Sequence, residues 1–96
     1  MKRQYEFLKD LSQNFSGEAR LYRVDPPAEY LESEEQSRLT PYVVASATLV
    51  PMHGPQVFIF PADEKGDLLE WGEIGGRKGT LDIDLVMREW TETTEG

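Results

Sequence analysis

The chain contains no cysteine, which excludes a disulfide framework, a thiolate nucleophile and a thiolate metal site. It has one histidine, His53, so a zinc site lacks the further nitrogen ligands it needs. No apolar run approaches the ~20 residues of a membrane span. The start, MKRQYEFLKDL, lacks the apolar stretch of a secretory signal. Positive charge is also scarce, with ten Lys and Arg against eighteen Asp and Glu and a formal net charge of −8. A field of that sign repels nucleic-acid phosphates and anionic lipid. Direct nucleic-acid and membrane partners are therefore not expected, no cofactor is indicated, and the cytoplasm is the expected compartment.

What is present suits one domain spanning residues 1–96. Hydrophobic residues make up 39% of the chain and aromatics 10%, enough for a single core of modest stability. The charge is unevenly placed. Residues 1–24 carry five basic groups (Lys2, Arg3, Lys9, Arg20, Arg23) against three acidic ones (Glu6, Asp10, Glu18). Residues 25–41 reverse this, with Asp25, Glu29, Glu32, Glu34 and Glu35 against Arg38.

The longest apolar stretch is YVVASATLVPMHGPQVFIFP, Tyr42 to Pro61. Its β-branched and aromatic runs, bracketed by Pro51 and Pro55, predict two strands joined by a short loop. If Val50 and Gln56 close the hairpin, Thr48 faces Phe58, Ala47 faces Ile59 and Ser46 faces Phe60. One face then carries Val43, Ala45, Ala47, Leu49, Val57 and Ile59, small enough to let a helix approach. The other carries Tyr42, Val44, Ser46, Thr48, Phe58 and Phe60, too apolar for the water side of a sheet. Its cover is expected from the N-terminal segment, a second copy or a partner.

Residues 3–9 fit a helix by Tyr5, Leu8, Leu11 and Phe15, or a strand by the alternation of Tyr5 and Phe7. A hairpin with Arg20–Val24 is favoured because it extends the same sheet. Asp25-Pro26-Pro27 ends that strand. The acidic connection 28–41 reads either as one or two helical turns or as a solvated link. A turn is expected at Asp63–Asp67 with Gly66 left-handed, then a strand over 68–72. Residues 72–79 read as a flexible glycine-rich connection. From Asp82, the spacing of Ile83, Val86, Met87 and Trp90 predicts a helix capped by Thr80 or Asp82. Residues 91–96 are expected to fray. Trp71 and Trp90 are expected at the seam between sheet and helix.

The segments ARLYRVDPP, YVVASA, VFIFPADEKGDLLEWGE and GTLD resemble small uncharacterised proteins of actinobacteria and their phages. The resemblance implies a phage or prophage accessory role and brings no catalytic residues with it.

No stretch carries a catalytic signature. GEIGGRKGT fails as a phosphate loop, because Arg77 and Lys78 precede the last glycine rather than follow it. Asp63–Asp67 does not match a calcium loop. Asn14-Phe-Ser16 has glycosylation spacing without a secretory context. The expected fold class is α+β, an antiparallel sheet of about four to five strands with one C-terminal helix on one face. The expected function is a non-enzymatic protein–protein interaction module, binding a protein partner or a second copy through Phe58, Phe60 and Tyr42 and through Glu32, Glu34 and Glu35. The alternative is an acidic mimic that inhibits a DNA- or RNA-binding protein. A small enzyme stands third.

Overall fold

A residue without an N–H cannot continue a ladder, so Pro51 ends the first central strand. In the computed structural model, which describes residues 3–33, 35–69 and 72–93, the central strands are β3 (Gln36–Val50) and β4 (Gly54–Ala62). His53 N–H donates to Val50 O at 3.0 Å to close the turn between them. Pro51 is second in that turn and Met52 third at φ 66°, as a type II turn requires. β4 begins earlier than expected. Pro55 is tolerated near the strand start, opposite Leu49, and its carbonyl accepts from Gly79 N–H at 2.8 Å.

The observed pairs are Val50↔Gly54, Thr48↔Gln56, Ala47↔Val57, Ser46↔Phe58 and Ala45↔Ile59. The register is thus two residues from the expected one. Side chains alternate with a period of two, so this slip leaves both faces intact. Val43, Ala45, Ala47, Val57 and Ile59 are all buried in one cluster with the helix. Leu49, at the turn end of that face, is exposed.

The N-terminal segment is β1 (Gln4–Asp10), antiparallel to β2 (Glu18–Ser33). The expected hairpin is therefore formed. A bulge leaves Leu8 unpaired between Phe7↔Tyr22 and Lys9↔Leu21. β2 pairs with β3, and Gly75–Lys78 forms a short β5 on the far side of β4. The sheet order is β1-β2-β3-β4-β5.

Further expectations need correction. The described residues of 28–41 form neither helical turns nor a loose link: Ala28↔Thr40, Glu29↔Leu39, Tyr30↔Arg38 and Leu31↔Ser37 continue the β2–β3 ladder into a ribbon. The prolines are absorbed in a bulge where residues 24–27 stand against Pro41, and the Asp25–Pro26 peptide is cis. Asp25-Pro26-Pro27 therefore does not end β2: the pairing that runs through Arg23↔Tyr42 resumes at Ala28↔Thr40. The last strand is also displaced. Leu68 makes only an isolated bridge to Ala62, while Glu70 and Trp71 lie outside the described residues. β5 falls instead in the stretch expected to be flexible. A Cβ on Gly75 would lie 2.5 Å from the Trp90 ring, and one on Gly76, at φ 141°, 2.3 Å from Val57 O. The glycines are there for close approach of backbone to ring and strand.

The helix α1 runs Ile83–Thr93. Asp82 Oδ1 accepts from Leu85 N–H at 3.1 Å, the geometry of an N-cap. Ile83, Val86 and Met87 are buried against the small aliphatic face, with Trp90 packed beside them. Thr91, expected to fray, is buried instead, and its hydroxyl donates to Met87 O at 2.9 Å. Arg3 ties the helix to the strands: its N–H donates to Thr91 O at 3.0 Å, its Nε to Pro26 O at 2.8 Å, and its guanidinium lies 4.9 Å from the Trp90 ring centre. Residues 94–96 lie outside the described set. The result is an α+β fold, a five-stranded antiparallel sheet with one C-terminal helix, of radius of gyration 12.6 Å.

Candidate functional site

On the face away from the helix, Phe58 and Phe60 project from alternate positions of β4. Their rings stack with centroids 5.8 Å apart at 24°. Phe58 lies opposite Ser46 and Phe60 opposite Val44. Tyr42, opposite Ala62, is the diagonal neighbour of Phe60. All three are half-buried. The chain itself covers the Tyr42 end of this face. Leu11 and Phe15, from the β1–β2 connection, pack with Leu21, Val44, Ala62 and Leu68 in a second cluster. Leu11 also fills the space beside Gly66, which is left-handed at φ 92° as expected. The loop bearing Gly66 is held by Asp63, whose Oδ1 accepts from Lys65 N–H at 2.9 Å and Asp67 N–H at 3.0 Å.

The carboxylates lie elsewhere. Glu32 is ion-paired with Arg38 across the ribbon, and Glu35 is exposed at its end. Glu34 lies outside the described residues. Six residues of β3 lie between Glu35 and Tyr42, and the seven steps span about 23 Å at 3.3 Å per residue. The aromatic and acidic groups are therefore two regions, not one patch.

The ribbon adds two residues that sequence reasoning missed. Its pairing places Leu31 and Leu39 as diagonal neighbours on one face, with Glu29 and Ser37 beside them. They are 64% and 65% exposed. Tyr30, Glu32 and Arg38 occupy the other face by alternation. A shallow cleft lined by Glu29, Tyr30, Leu31, Glu73 and Ile74 runs between the ribbon and the loop before β5. Once residues 28–33 are seen to pair with 36–40, the spacing of the leucines gives their shared face. No apolar run announces that pairing.

The remaining polar clusters have structural explanations. Arg20 donates to Glu18 at 2.7 Å, to Asp84 at 2.9 Å and to the Tyr22 hydroxyl at 3.4 Å. These bonds, that to Tyr22 foremost and then that to Glu18, push the guanidinium pKa up. Burial raises the Tyr22 phenol, which lies beneath Tyr5 and Phe7 in edge-on contacts of 5.8 and 5.9 Å. The cluster clamps β2 to the start of α1. Asp82 caps the helix and Asp84 accepts from Arg20, so both carboxylates at the start of α1 already have structural work. His53 is exposed in the β3–β4 turn. Among the described residues, no group of His, Asp and Glu is arranged to hold a metal ion, and no helix is long and apolar enough to cross a membrane.

No family model matches the chain, and neither the curated proteins nor the solved structures contain a match to it.

Proposed function

We propose that this chain is a non-catalytic protein-binding module that engages its partner with the outer half of the β2–β3 ribbon. One observation carries the proposal. Leu31 and Leu39 are both about two-thirds exposed on one face of a ribbon that, beyond Ala28 and Thr40, pairs in the sheet only with itself among the described residues. Adjacent exposed leucines on a two-stranded element suit insertion into an apolar groove. Glu29 and Glu35 at their margin favour a groove with a basic rim. The stacked Phe58 and Phe60 form a secondary surface, since both are already partly buried by the chain. A phage or prophage accessory role and a cytoplasmic setting belong to the same proposal.

The test is affinity purification from native cells, or infected cells, followed by mass spectrometry. Wild type is compared with Leu31→Thr/Leu39→Thr, which keeps β-forming residues, and with Phe58→Ala/Phe60→Ala. The ribbon variant is expected to unfold within about 3 °C of wild type and to lose the partner. A folded ribbon variant that retains every partner would refute the reading, and loss confined to the phenylalanine variant would move the surface to the aromatic face.

A further inference from the structure

β1 is an open edge of the sheet, and all seven of its residues are exposed. Three of them are large and apolar: Tyr5, Phe7 and Leu8. An edge of this kind presents unpaired backbone N–H and C=O groups and is a template for another strand. We propose that a second copy of this chain fills it, with β1 pairing antiparallel to β1 about a two-fold axis at Phe7.

The register follows from the bulge. Phe7 stands opposite Tyr22, on the helix side of the sheet, while Glu6 stands opposite Arg23 and Lys9 opposite Leu21, both on the other side. With Leu8 displaced from the ladder, Glu6 and Lys9 are the flanking steps on either side of Phe7 and share a face. An axis through Phe7 therefore sets Glu6 against Lys9 of the second copy, twice, and Tyr5 against Asp10 of the second copy, twice. Phe7 meets its own equivalent at the centre. A bulge ordinarily deters strand addition. Here it makes the strand self-complementary in charge, and an arbitrary strand would not match it.

Long-range charge points to the same edge. Residues 1–24 carry five positive and three negative groups, a local sum of +2 within a chain of −8. A contact at this edge therefore avoids bringing the acidic 25–41 segments of the two chains directly together. A pairing of six or seven residues buries less than the ~1,200 Å² of standard interfaces, so a weak, concentration-dependent dimer is expected.

The experiment is sedimentation equilibrium on the full chain from 5 µM to about 1 mM in low salt, with circular dichroism confirming the fold of each variant. Glu6→Lys and Lys9→Glu each place like charges opposite one another and are each expected to weaken the dimer about tenfold. The double variant Glu6→Lys/Lys9→Glu restores the pairs and the dimer. Mixing the two single variants yields a heterodimer tighter than either homodimer. Net charge alone predicts something else. Glu6→Lys moves the chain from −8 to −6 and would strengthen association, whereas Lys9→Glu moves it to −10 and would weaken it. A monomer at about 1 mM, a dimer indifferent to the swaps, or single variants that move in opposite directions each overturn the proposal. If a single swap unfolds the chain, the double variant alone decides, by restoring the dimer or failing to.

Discussion

Met52 offers a direct measure of strain in the central hairpin. It is the third residue of the β3–β4 turn, at φ 66°, and its side chain is fully exposed. A left-handed conformation costs an L-residue roughly 1–2 kcal/mol, because Cβ crowds the following carbonyl oxygen. Met52→Gly removes that crowding. It also gives the unfolded chain more freedom, at a cost of about 0.5–1 kcal/mol. The difference favours the variant by about 0.5–1 kcal/mol. At about 4–8 °C per kcal/mol for a chain of this length, the unfolding midpoint should rise by about 3–6 °C. Thermal unfolding followed by circular dichroism reads the shift, and urea unfolding should move its midpoint with an unchanged slope. Met52→Ala separates backbone from side chain, since it keeps Cβ and should stay within about 1 °C of wild type. A Met52→Gly protein that melts at or below wild type would refute the assignment of strain to this turn.

Two further substitutions probe how the helix is held. Asp82→Ala deletes the N-cap acceptor for Leu85 N–H and should cost about 1 kcal/mol in urea unfolding, while Asp82→Asn should recover most of it. Gly75→Ala drives a methyl into the Trp90 ring and should cost about 1–3 kcal/mol. Adding Trp90→Leu should then cost less than the same change in wild type, a non-additivity measurable in a double-mutant cycle.

Strong local periodicity made part of this fold readable in advance. Ile83, Val86, Met87 and Trp90 fix a helix and its buried side without reference to the rest of the chain. Alternation in Val43–Val50 and Val57–Phe60 fixed which face would receive it. The two-residue register error did no harm, because faces depend on parity, whereas the point where a turn closes depends on one backbone dihedral at Met52. β5 was hidden for the opposite reason. Gly75 and Gly76 have no side chain to pattern, and they are in the sheet because the Trp90 ring and the β4 backbone leave no room for one.

The candidate site was the least legible part, and the cause is the cooperativity of strand pairing. Glu29, Glu32, Glu34 and Glu35 give residues 28–35 the composition of a solvated link, and Asp25-Pro26-Pro27 looks like the end of a strand. Pairing at Tyr22↔Val43 and Arg23↔Tyr42 holds the two flanks together, so continuing the ladder past the bulge closes only a short additional loop. Local preference loses to that proximity. The same pairing turns Leu31 and Leu39, eight positions apart in the sequence, into neighbours on one exposed face. A surface made by non-local pairing has no signature in either strand taken alone. It becomes visible only once the register is known.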